Sequence, residues 1–181
     1  MKRFVTLLLT LAACNGNDGK DTDTQTHTGT TPSELPQVWI NEIMAANATT
    51  LQDEVGAYPD WIELYNPNDA GVALGGWFLT DDVTDPMKWE VPAGVQIDAG
   101  GFLVVFADSD TEEGDLHASF NLDADGGDDV GLFGPEADGT PKIDAVEDMN
   151  PAVPDVSLAR KPDGGATWEI DGGATPGASN D

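Results

Sequence analysis

From Gln37 onward the hydrophobic side chains come in short runs, each cut by glycine, proline, asparagine or aspartate. No window keeps apolar residues at helical spacing for the roughly ten residues that an amphipathic helix requires. A helical bundle is therefore excluded, and strands are what remain. Strands are predicted over 38–43, 61–65, 76–80, 88–91 and 101–106. Two more, 120–122 and 130–133, flank Gly126 and Gly127 as an expected hairpin, and 143–146, 156–160 and 167–170 complete the set. In 61–65 the alternation places Ile62 and Leu64 on one face, the core side. The almost wholly apolar run 101–106 reads as a central strand covered on both sides. Many short strands with a turn signal every eight to twelve residues or so argue for a β-sandwich or barrel. The chain has 181 residues, 39% hydrophobic, which suits one modest core. Its one cysteine allows no internal disulfide, and a domain of this size buries enough surface to fold without one.

That cysteine sits where a different chemistry uses it. Lys2 and Arg3 form a positive start, and the apolar run 4–13 that follows is too short to cross a bilayer as a helix. The layout is that of a secretory signal. It ends in Leu11-Ala12-Ala13-Cys14, which resembles the bacterial lipobox. The resemblance implies cleavage before Cys14 and lipidation of its sulfur and its new amino group. Each buried methylene contributes about 0.8 kcal/mol, so two or three acyl chains hold a protein on a membrane durably. The competing reading is an ordinary signal peptide with an unrelated cysteine. Asn15, rather than an aspartate, follows Cys14; by resemblance to bacterial sorting rules this directs the protein to the outer membrane or cell surface. Residues 15–36 are polar and threonine-rich, cannot bury enough to offset their ordering entropy, and read as a tether. The expected organisation is a signal peptide over 1–13, lipidated Cys14 and tether over 14–36, and one β domain over 37–181.

The formal charge is −27, from 34 acidic against 7 basic residues. Such a surface repels phosphate backbones and anionic headgroups, so nucleic acid is not an expected partner. It suits divalent cations, basic partners or a salty medium, and it also simply keeps a protein soluble and monomeric.

No catalytic residue is predicted, and the chain is not expected to be an enzyme. The histidines are His27, in the tether, and His117, read as a structural or surface residue at the start of a strand. No His/Cys cluster has zinc spacing, and no glycine-rich loop opens a helix to cradle phosphate. No cofactor is expected unless it is Ca2+. Hard cations take six to eight oxygen ligands, and Asp108, Asp110, Asp123, Asp125 and Asp128 are one candidate set. The run 123–128 departs from the EF-hand pattern, with glycine fourth and no glutamate twelfth, and competes with a hairpin turn whose glycines supply positive φ. A second set is Asp60, Glu63, Asp81 and Asp82; Asp60 and Glu63 share a face only if the strand begins after Asp60. Trp39, Trp61, Trp77, Trp89 and Trp168 are expected in or beside the core rather than as a sugar-stacking platform.

One ordered series carries a family resemblance. Asn41-Glu42-Ile43 is followed by Asp60-Trp61-Ile62-Glu63-Leu64-Tyr65-Asn66 and by Leu74-Gly75-Gly76-Trp77-Phe78-Leu79-Thr80-Asp81-Asp82. Then come Trp89 and Pro92, the run 99–105, His117 to Leu122, Ser157-Leu158-Ala159-Arg160, Trp168 and Thr175-Pro176-Gly177. In this order they resemble the bacterial lamin tail domain over residues 37 to 180. The resemblance implies an all-β, immunoglobulin-like sandwich. In bacteria such domains occur on secreted and surface proteins, often beside hydrolase or nuclease domains. Unlike nuclear lamins the chain has no coiled-coil rod or prenylation box, so filament assembly is not carried over. Three functional expectations follow: a non-catalytic envelope lipoprotein that displays an interaction or structural module toward an unknown protein or polysaccharide; a calcium-dependent binding module; or an accessory to a separately encoded secreted hydrolase or nuclease.

Overall fold

The computed structural model describes residues 34–181. The signal segment, Cys14 and nearly all of the tether lie outside the described residues. Among those described there are twelve strands and one 3-10 turn, Glu136–Asp138. The strands are β1 Trp39–Met44, β2 Trp61–Tyr65, β3 Val72–Ala73, β4 Phe78–Thr80, β5 Trp89–Glu90 and β6 Gln96–Ile97. They continue with β7 Phe102–Ala107, β8 His117–Ala118, β9 Val130–Phe133, β10 Lys142–Val146, β11 Ser157–Arg160 and β12 Trp168–Asp171. A six-stranded sheet runs β12-β11-β1-β2-β7-β8, a four-stranded sheet runs β10-β9-β4-β5, and β3 with β6 forms a ribbon. The architecture is an immunoglobulin-like β-sandwich.

Alternation builds the core. Ile40, Ile62, Leu64 and Val105 from the larger sheet meet Leu79, Val130 and Leu132 from the smaller, and Val72 and Ile97 close one end from the ribbon. Full burial of each such side chain contributes about 1.5–3 kcal/mol, so this cluster is the main source of stability.

The second face of β2 is buried as well. Trp61 and Glu63 are as inaccessible as Ile62 and Leu64, because the chain's C-terminal segment crosses over them. Trp61, Met44 and Phe106 form a separate apolar cluster against Ala174 and Leu51. At the start of β1 the register slips between Ile40 and Glu42. The extra residue is Asn41, and this β-bulge sets both Asn41 and Glu42 toward the buried outer face.

The expected hairpin of 120–122 with 130–133 does not form. β9 pairs instead with β4 and β10, and 120–122 contributes a lone bridge, Asn121 to Asp108. The glycines do turn the chain, with φ of 83° at Gly126 and 95° at Gly127, but they turn it onto residues 149–151. The Gly127 N–H donates to the Met149 carbonyl at 2.8 Å, and a Cβ on Gly126 would stand 2.7 Å from that same oxygen. Phe120 and Leu122 are thereby left as core anchors. β7 also differs from a fully covered central strand: its first three residues are half-buried, and its outer neighbour is the two-residue parallel strand β8.

Candidate functional site

Three polar or concave features stand out, and each is built from a different part of the topology. The first lies on the outer face of β1 and β2. The bulge puts the Asn41 amide beside Glu63, to whose Oε1 it donates at 3.1 Å, and beside Asp163 at 2.9 Å. The Gly164 N–H donates to the Asn41 Oδ1. Glu42 and Glu63 are paired across the strands and both are fully buried. Glu42 accepts from the Ser157 hydroxyl and the Thr175 N–H, and Glu63 accepts from the Gly177 N–H at 2.6 Å. Asn180 closes the arrangement by donating to the carbonyls of Asn41 and Arg160. Burial pushes the Glu63 carboxyl up to about 7 against the pull of its Asn41 and Gly177 donors, with Glu42 and Asp163 adding repulsion. Burial raises Glu42 too, against its Ser157 and Thr175 donors. Every donor here belongs to the chain itself, so the cluster is a lock on the C-terminal segment.

The second feature surrounds His117, whose imidazole is fully buried. Its Nδ1 lies 2.7 Å from Asp108 Oδ2 and its Nε2 3.1 Å from Glu54 Oε2, with the Phe106 ring 5.0 Å away. Burial opposes protonation of His117, but hydrogen bonds to Glu54 and Asp108 outweigh it and raise the ring above its ordinary value. Asp108, Glu113 and His117 each bring a ligand atom within 4.8 Å of the others. Asp53 lies on the adjoining loop: its Oδ1 accepts from the Val55 and Ala57 N–H groups, while its buried Oδ2 has no partner.

Of the first predicted calcium set, only Asp108 enters this centre. Asp110 donates its N–H to the Asp108 Oδ1, while Asp128 accepts the Asp123 N–H and Asp123 accepts the Asp125 N–H. Those carboxylates hold their own turns. The second set is not gathered either. Asp60 accepts the Asn47 N–H, Glu63 is in the lock, Asp81 pairs with Lys88, and Asp82 takes the Thr84 hydroxyl and N–H. His117 as a ligand, and Glu54 as its partner, are not legible in the sequence, because the parallel pairing of Phe106 with His117 that seats the ring beside Asp108 has no local signature.

The third feature is a groove. Paired residues Val105, Ile62, Ile43, Leu158 and Ile170 form one apolar row across β7, β2, β1, β11 and β12. Its far end runs out of the core: Ile170 is 79% exposed. There a cavity of about 90 Å³ opens, lined by Ile43, Met149, Val153, Val156, Leu158 and Ile170. The tryptophans leave no exposed aromatic row beside it: Trp61, Trp77 and Trp89 are buried, and Trp39 and Trp168 lie against the Arg160 guanidinium at 5.1 and 4.3 Å.

A family model described as Lamin Tail Domain matches residues 31–148. No curated protein and no solved structure matches the chain.

Proposed function

The chain belongs to the lamin tail domain family, and from that premise we propose that it is a non-catalytic envelope lipoprotein, anchored through Cys14, whose sandwich is displayed for interaction. One observation carries the reading. The buried polar groups of the outer face, Asn41, Glu42, Glu63 and Asn180, are satisfied within the fold, whereas the solvent-open concavity is lined mainly by apolar side chains, with Asn150 and Ser157 among them, and lies beside an outer strand. Catalysis needs convergent polar groups at an accessible site; recognition needs an apolar patch with a hydrogen-bonding rim. The lipobox-like Leu11-Ala12-Ala13-Cys14 and the polar tether after it support display away from a membrane. Metabolic labelling with a palmitate analogue tests the anchor: the wild type takes the label and fractionates with the envelope, and Cys14→Ala takes none and is released. An unlabelled, soluble wild type overturns it.

A second reading, a calcium-responsive module, is favoured by the partnerless Asp53 Oδ2, which shares a loop with the His117 partner Glu54. A hard cation held by Asp108 and Glu113, whose ligand atoms lie within 4.8 Å of each other and of His117, would also face that oxygen with a positive charge. It would compete with His117 for the Asp108 carboxylate. Melting temperature several degrees higher in millimolar calcium than in chelator, with the difference abolished in Asp108→Asn, is the expected result. Identical melting in both solutions sinks it.

A further inference from the structure

The edge of the six-stranded sheet at β12 is only partly protected. Natural edges are blunted by short strands, charged side chains (lysine above all), proline, bulges or a covering element; β12 is short and acidic but carries no lysine, proline or bulge. β12 reads Trp168-Glu169-Ile170-Asp171, pairs in regular register with β11 through all four residues, and has no further strand beyond it. No other backbone hydrogen bond to residues 168–171 is found among the described residues. An outer strand of this kind offers unpaired N–H and C=O groups along one side. Beside them stand the exposed Ile170 and Val153 and the cavity they help to line.

Charge decides what fits. Among the described residues all four lysines and arginines are already paired: Lys88 with Asp81, Lys142 with Glu147, Arg160 with Asp144, and Lys161 with Asp171. Asp148, Asp155 and Glu169 adjoin the groove residues Met149, Val156 and Ile170, and among the described residues none of the three forms an ion pair, although Lys161 lies near enough to feel Glu169. Asp155 stays ionised to about pH 2, because the Thr49 hydroxyl and N–H groups of Thr49 and Ala48 stabilise its charge. A second copy of the same edge is disfavoured: the register that stacks Ile170 on Ile170 sets Glu169 opposite Asp171, and two chains of net charge −27 repel each other. Complementarity therefore has to come from a cationic partner.

We propose that β12 and its groove take an extended peptide segment as an added antiparallel strand, with an aliphatic side chain in the groove and flanking lysine or arginine residues against Glu169, Asp148 and Asp155. Backbone pairing would supply affinity and the alternating side chains specificity, as in other strand-addition complexes. A cavity of about 90 Å³ is of the size class that admits a small apolar group. This inference rests on the reading of the domain as an interaction module, and it specifies that module's partner.

The test uses the full chain in mild detergent and a fluorescein-labelled peptide of alternating lysine and isoleucine, followed by anisotropy at physiological salt. Saturable binding is expected, weakened about tenfold or more when the isoleucines become glycine or when alternate backbone nitrogens are methylated. Ile170→Asp is the discriminating variant. It adds an attractive charge while removing the apolar contact, and at so exposed a position the fold should persist by circular dichroism. Weaker binding by Ile170→Asp supports the groove; equal or tighter binding, equal binding of the lysine–glycine peptide, or no saturable binding overturns the proposal. Self-association of the wild type that Ile170→Asp abolishes also overturns it, in favour of a second copy as occupant. Cys14 labelling is independent of all these outcomes, so failure of this partner and failure of the lipoprotein reading are separable.

Discussion

Asn41 shows how much one bulged residue can organise. Its side chain meets Glu63, Asp163 and the Gly164 N–H together, so Asn41→Ala strands three buried or half-buried groups. Each unsatisfied buried group costs about 1–3 kcal/mol; a loss of about 2–4 kcal/mol in denaturant titration is expected, against less than 1 for an exposed site such as Asn150→Ala. Glu63 sets a pH dependence of unusual sign. Its folded value, about 7, lies above the ordinary 4.5, so the folded state holds the proton more tightly than the unfolded one. That contribution is complete below about pH 4.5 and is lost as pH rises to about 7. His117, also raised from its ordinary 6.5, works in the same direction, present below 6.5 and lost above it. The protein should be more stable at pH 5 than at pH 8, by on the order of 1–3 kcal/mol. Glu63→Gln should flatten the lower part of that slope. A wild type equally stable at both values contradicts the lock as described.

Among the elements, β1 depends on pieces far away in sequence. It lies between β2 and β11, and its outer face is held by Thr175, Gly177 and Asn180 through Glu42, Glu63 and its own backbone. A chain stopped after residue 155 keeps every strand up to β10 yet loses β11, β12 and those donors. It should lack a cooperative thermal transition, whereas removing Asp181 alone should leave melting unchanged. Strand legibility follows the same division. Ile62 and Leu64 were readable because alternation is local. The burial of Trp61 agrees with the expectation for tryptophan in a small β domain, but that of Glu63 is not legible, because its cover comes from Gly177, more than a hundred positions on. β3 and β6 are too short to show as strands in the sequence, and Gly126 and Gly127 signal a turn without signalling which segments it joins.

At the scale of the whole molecule, the family resemblance and the single-core sandwich were legible, since they depend on the order of many short runs rather than on any one contact. The binding features were not. Acidic residues are so numerous that their spacing carried no information, and the residues that do converge, Asp108, Glu113 and His117, are joined by a parallel strand pairing. The net charge of −27 makes self-repulsion a property of the entire fold, since the described cations are all committed to partners. Screening shortens the reach of that repulsion to about 3 Å at 1 M salt. Melting temperature should therefore climb steadily with sodium chloride, and a flat profile would show that the acids are spaced widely enough not to feel each other.

The placement of β1 bears on how the polypeptide matures. Its partners on one side, and the groups that clasp its outer face, are made last. During synthesis the first strand has no completed sheet to join, and contacts of such long sequence separation form slowly. The sheet around β1 thus stays incomplete until β11 and residues 175–180 have been made.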